Sequence, residues 1–127
     1  MNTLYMEDIL DHYKHPRNAG HISNPSITVH DSNPVCGDDV TFTVATHKKV
    51  ITDIKFAAAG CAISIAASSK LTESIKGKTL QDIMQMHPEY VLHLLSIPLS
   101  PIRIKCALLG LLTLQKGIAH HLHGGST

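Results

Sequence analysis

The apolar positions Tyr5, Ile9, Leu10 and Tyr13 recur at helical spacing, with Glu7 and Asp8 early and Lys14 and His15 late, before Pro16 stops the run. Residues 3–14 therefore predict a short amphipathic helix. Residues 15–25 are rich in Pro, Asn, Gly and Ser and predict a connecting loop, and the β-branched content of residues 26–30 predicts a strand. Strict alternation over 40–44 and again along Val50, Thr52, Ile54 and Phe56 predicts two more strands. The polar run Thr46-His47-Lys48-Lys49 between them makes three antiparallel strands the natural arrangement.

After Gly60 the period changes to 3.6: Ile63, Ala66, Ala67, Leu71 and Ile75 share a face and Gly77 supplies a stop. Thr79 is placed to cap a third helix with Asp82 at the capping-box position, and His87-Pro88 reads as a break and restart into residues 89–95. Pro98 and Pro101 separate that segment from a last helix over about 102–119. This helix is almost entirely apolar over 107–114, so much of its circumference should be buried or lie at an interface. Strands early and helices late predict an α+β fold, a small three-stranded antiparallel sheet with helices packed on one face. A chain of 127 residues forms one domain, 1–127, large enough for a core that needs no disulfides.

Composition narrows the function classes. No apolar run approaches the roughly 20 residues that span a bilayer, so no membrane association is expected. The first ten residues carry Glu7 and Asp8 where a signal peptide would be basic and then apolar, which predicts a soluble, cytoplasmic protein. Eleven basic side chains against ten acidic, with no basic cluster beyond short pairs such as Lys48-Lys49, leave no footprint for nucleic acid. No Ser/His/Asp arrangement, phosphate-cradling glycine loop or paired carboxylates stand out, so a scaffold is expected rather than an enzyme.

The informative residues are the three cysteines. Cys36 lies in the turn-forming run Asn33-Pro34-Val35-Cys36-Gly37-Asp38-Asp39, Cys61 follows Gly60 at a helix start, and Cys106 follows Arg103-Ile104-Lys105 near another. Glycine, a helix N-terminus or a neighbouring cation favours an exposed, activated thiolate, and this is the expectation for all three. An odd number of widely spaced cysteines argues against a disulfide framework and for ligands or nucleophiles in a reducing compartment. Three thiolates with the carboxylate of Asp38 suit a four-coordinate zinc ion or a small iron–sulfur cluster. The intervals of 25 and 45 residues do not by themselves bring the cysteines together. Cysteine as a small buried filler, and Asp38 as a turn carboxylate bonded to backbone N–H groups, stay open on residue types alone.

Asn33-Pro34-Val35-Cys36-Gly37-Asp38, Gly60-Cys61-Ala62-Ile63-Ser64-Ile65-Ala66-Ala67-Ser68-Ser69 and Arg103-Ile104-Lys105-Cys106 resemble the three cysteine motifs of the U-type iron–sulfur cluster assembly scaffolds, the IscU, SufU and NifU N-terminal family. Asp11-His12-Tyr13-Lys14-His15-Pro16-Arg17-Asn18-Ala19-Gly20 and Lys76-Gly77-Lys78-Thr79-Leu80 resemble further signatures of that family, so the likeness covers nearly the whole chain. The resemblance implies a scaffold that receives sulfur from a cysteine desulfurase and iron from an iron donor. It implies that a transient [2Fe–2S] cluster is assembled on Cys36, Cys61 and Cys106 and handed to apo iron–sulfur acceptor proteins. Asp38 matches the family aspartate tied to cluster lability.

Two features depart from the Isc branch. Lys105 stands where that branch has a histidine before the third cysteine. As an ammonium it cannot ligate, but it can activate the thiol of Cys106 and attract an anionic persulfide. The run Arg103-Ile104-Lys105-Cys106-Ala107-Leu108-Leu109 looks more like the Suf-type branch, whereas the 61–106 interval is close to Isc length. The alternative is thus a zinc-dependent sulfur acceptor, a SufU-like sulfurtransferase in which Cys106 takes the persulfide. Leu99-Ser100-Pro101-Ile102-Arg103 replaces the Leu-Pro-Pro-Val-Lys motif read by a specialised Hsp70, leaving chaperone-assisted transfer doubtful. A purely structural zinc module is disfavoured, because such sites fill the fourth position with Cys or His. His120, His121 and His123 read as a solvated terminus rather than a metal site.

Overall fold

The structure, a computed structural model, describes residues 3–34 and 37–124. Helix α1 (Thr3–Lys14) is followed by strands β1 (Ile27–Asn33), β2 (Asp38–His47) and β3 (Val50–Ala59). Helices α2 (Ala62–Ile75), α3 (Leu80–Met84), α4 (Pro88–Leu95) and α5 (Pro101–Leu122) complete the chain. The strands form one antiparallel sheet in the order β1-β2-β3, as the alternation predicts. Among the described residues no helix is long and apolar enough to cross a membrane.

Strand period and helix period meet in one core. Val40, Phe42 and Val44 of β2 are completely buried, as is Ile54, with Ile51 and Phe56 nearly so. The Phe42 and Phe56 rings lie 6.1 Å apart, a favourable tilted aromatic pair. Against this face lie Ala66, Ala67, Leu71 and Ile75 of α2 and Ala107, Leu111, Leu114 and Ile118 of α5. Helix α5 approaches closely because Gly110 and Gly117 have no side chain. A Cβ at Gly117 would lie 2.7 Å from Val29, and one at Gly110 would lie 2.7 Å from the Ser68 hydroxyl.

Thr79 with Asp82, and Pro88, behave as read, and α5 begins one residue before the expected start. Thr79 accepts from Asp82 N and Asp82 returns a bond to Thr79 N, each at 3.0 Å, and Pro88 and Pro101 open α4 and α5. Strands β1 and β2 are longer than expected. Asp31, Ser32 and Asn33 pair with Val40, Asp39 and Asp38, so cross-strand partners hold a polar stretch with no apolar alternation to announce it. The family-like segment Asp11 to Gly20 is structural mortar. Arg17 pairs with Asp11 at 2.6 Å, Asn18 Nδ2 donates to Thr72 Oγ1, and Asn18 and Gly20 bond the backbone of Phe56 along the outer edge of β3.

Helix α1 corrects one expectation. Tyr5, Leu10 and Tyr13 from the expected apolar face are exposed, and the buried positions are Ile9 and His12. The reason is polar: His12 Nδ1 lies 2.7 Å from Ser69 Oγ of α2, and Lys70 pairs with Asp8.

Candidate metal and sulfur site

One end of the molecule gathers the start of β2, the end of β3, the first residue before α2 and the second turn of α5. Asp38 opens β2 opposite Asn33, and its neighbour Asp39 pairs with Ala59, the last residue of β3. The chain then turns at Gly60 with φ +138°, where a Cβ would lie 2.1 Å from Asp38 Oδ1 and 2.8 Å from its Cα. Only glycine allows this approach, and the approach places the next residue, Cys61, against Asp38.

Cys61 is the N-cap of α2, its sulfur accepting from Ser64 N at 3.5 Å. Its own N–H donates to Asp38 Oδ1 at 2.8 Å, while its sulfur lies 3.9 Å from Oδ2. Asp38 is only 1% exposed, and a buried carboxylate needs such donors. Oδ1 is therefore held by backbone and Oδ2 lies beside the Cys61 sulfur. Cys106 completes the group: ligand atoms of Asp38, Cys61 and Cys106 all lie within 4.8 Å of one another. Cys36 and Val35 fall outside the described residues.

The structure corrects the expectation of exposure for Cys106. Its side chain is completely buried, because the second turn of α5 faces inward between α2 and the sheet, whereas Cys61 is half-buried. The cation set against the sulfurs is Arg103. Charge attraction to Cys61 and a hydrogen bond donated to its sulfur, and then the same towards Cys106, raise its pKa above its ordinary high value against the opposing effect of burial. Lys105 is exposed and lines an open groove of about 350 Å³ with Pro34, Leu108, Leu109 and Leu112. Sequence reasoning weighed Lys105 because it adjoins Cys106. The helical period carried the usable signal: Arg103 precedes Cys106 by three residues and so shares its face.

The donor set is chemically coherent: two soft sulfurs and one hard oxygen at ligand separation, with a guanidinium beside them. It fits a thiophilic metal and leaves a further position to be filled from outside these three residues.

A family model described as the NifU-like N terminal domain matches residues 4–124. The chain belongs to this family, that of the iron–sulfur cluster assembly scaffolds IscU and SufU. It is 38% identical to the zinc-dependent sulfurtransferase SufU of Bacillus subtilis (strain 168), covering 94% of this chain and 92% of that one. That alignment runs to 136 positions, so the Bacillus protein has residues with no counterpart here. The identity is 37% to the iron–sulfur cluster assembly scaffold protein IscU of Aquifex aeolicus (strain VF5), covering 96% and 78%. A crystal structure from Fervidobacterium islandicum AW-1, of a protein assigned to iron–sulfur cluster assembly for the SUF system, superposes with a TM-score of 0.77. It is 30% identical over 91% of this chain and 97% of its own. The resemblance carried by the three cysteine motifs is thereby confirmed.

Proposed function

We propose that the protein is a scaffold on which a [2Fe–2S] cluster is assembled from iron and desulfurase-derived sulfur and then passed to apo iron–sulfur proteins, with Cys36, Asp38, Cys61 and Cys106 as ligands. The observation that carries this reading is the meeting of Asp38, Cys61 and Cys106 within 4.8 Å, from residues as far apart in sequence as 38 and 106. In this reading the cluster is cargo, and a cysteine desulfurase, an iron donor and the acceptors are the partners. Thiolates suit iron in a sulfide lattice, whereas a carboxylate oxygen is a harder and less durable ligand there. Asp38, held through Oδ1 by the Cys61 N–H and with Oδ2 beside the Cys61 sulfur, is the release point in this reading.

Anaerobic incubation of the metal-stripped protein with a cysteine desulfurase, cysteine and ferrous iron tests this directly. A visible chromophore that forms on this chain and moves to an apo-ferredoxin is the expected result, and none forming would sink it. Asp38→Ala should hold its cluster longer than wild type under chelator challenge, and equal or faster loss would remove Asp38 from the release role.

A second reading is favoured by the Bacillus relative, whose name specifies zinc-dependent sulfur transfer. The same four residues would hold zinc, which when bound keeps cysteine ligands as thiolates. Cys106 would accept the persulfide with Lys105 and Arg103 as neighbouring cations. Its complete burial means that α5 or a ligand must first give way. Here zinc, and not iron, restores desulfurase turnover to the stripped protein.

A further inference from the structure

The end of the sheet remote from the sulfurs carries a charge cluster that the sequence scatters. Strands β2 and β3 are joined by a two-residue turn, with His47 paired to Val50 and Lys48 and Lys49 between them. Both lysines have positive φ, +52° and +63°. Such a turn matches the twist of the strands and is ordinarily made by Asn-Gly, since side chains beyond glycine and asparagine are strained there. Two adjacent lysines add like-charge repulsion to that strain.

The fold then sets a second lysine pair beside the first. Leu80 N donates to Lys49 O at 2.9 Å, Ile51 N to Lys78 O at 2.9 Å, and Gly77 N to Ile51 O at 2.8 Å, pinning the 76–80 loop to the hairpin. Four of the eleven basic side chains meet here. Two carboxylates accompany them: Asp53, paired with Lys76 at 3.2 Å, and Asp82, which caps α3 and feels Lys78. Lys48, Lys49 and Lys78 form no ion pair among the described residues, and His47 beside them is exposed.

We propose that this cluster is a docking surface for an acidic segment of a partner protein. Charge complementarity selects that occupant. The patch is two loop tips wide and without aromatic side chains for base stacking, which disfavours a nucleic acid strand. None of the large exposed apolar side chains lies here to anchor a membrane. Ten-residue strands place the patch roughly 30 Å from Asp38, so a partner seated on it leaves the sulfurs open to donor and acceptor. The inference goes beyond the cluster reading and does not depend on it.

The double variant Lys48→Asn/Lys49→Gly separates docking from folding, because it relieves the turn while removing two charges. Its melting temperature should rise by about 5 °C. Binding of a labelled oligoglutamate peptide, followed by fluorescence anisotropy at low salt, should weaken about tenfold and lose most of its salt dependence. A single-stranded DNA oligonucleotide and vesicles of phosphatidylserine with phosphatidylcholine serve as competing probes. Tighter binding of either than of the peptide, no peptide binding by wild type, or equal binding by the variant would each overturn the proposal.

Discussion

Helices α1 and α5 are both rich in apolar residues and use them in opposite ways. Along α5, Ala107, Leu109, Leu111, Leu114 and Ile118 are buried and two glycines let the helix settle on β1 and α2. Along α1 only Ile9 and His12 are buried, while Leu4 is 72% exposed and Tyr5 and Leu10 are 44% exposed. The first helix is clasped by polar contacts, the last is locked by apolar area. Apolar burial has no titrating partner, whereas a histidine clasp does, so the two helices should respond differently to truncation and to acid.

The largest effect expected from this contrast is in α5. Leu111 is completely buried in the core, and Leu111→Ala should cost about 2–5 kcal/mol, through lost transfer energy and the cavity left behind. Urea denaturation measures it. A loss below about 1 kcal/mol would mean that α5 is held by something other than its apolar face, and the contrast would collapse.

A smaller and pH-dependent effect is expected at the α1 clasp. Burial pushes His12 below its ordinary pKa of 6.5, helped by the positive charges of Arg17 and Lys70 and opposed by Asp8 and Glu73. In the unfolded chain the histidine titrates near its ordinary value, so below pH 6.5 the unfolded state binds the extra proton first. The stabilisation is present above that pH and is lost as pH falls towards the lowered folded value. His12→Gln should remove this part of the acid sensitivity while costing about 1 kcal/mol at pH 7.5 from the loosened contact with Ser69. Denaturation midpoints compared at pH 7.5 and 5.5 decide it. An unchanged difference between the two pH values would place the acid sensitivity elsewhere.

Much of this was legible in the sequence where one period governs one environment. The strict alternation of 40–44 and 50–56, the cap at Thr79 and the restart at Pro88 translate directly into elements, while Pro101, a separator by sequence, is the first residue of α5. The gathering of Asp38, Cys61 and Cys106 was announced by residue type and motif, but spacing could not supply it: it depends on Gly60 admitting Asp38 and on α5 lying across α2. Arg103 was hidden because sequence adjacency points to Lys105 while the helix turn points to the residue three back. The face of α1 was misread because His12, a polar residue, takes the buried place beside Ile9. Periodicity of apolar residues cannot register an anchor made by an imidazole and a serine 57 positions away.

The smallest effect is the most discriminating. If the exposed apolar residues of α1 face water, replacing them should leave stability nearly untouched, because glutamine has almost the helix propensity of leucine and little apolar area is lost from the core. Leu4→Gln with Leu10→Gln should therefore change unfolding free energy by no more than about 0.5 kcal/mol. The change should also be the same at every protein concentration. A concentration-dependent loss would show these side chains to be covered by another molecule in solution, since only an associating species draws stability from mass action. In that case α1 would resemble α5 after all, its apolar face locked by a partner rather than by the core, and the polar clasp at His12 would be only half of what holds it.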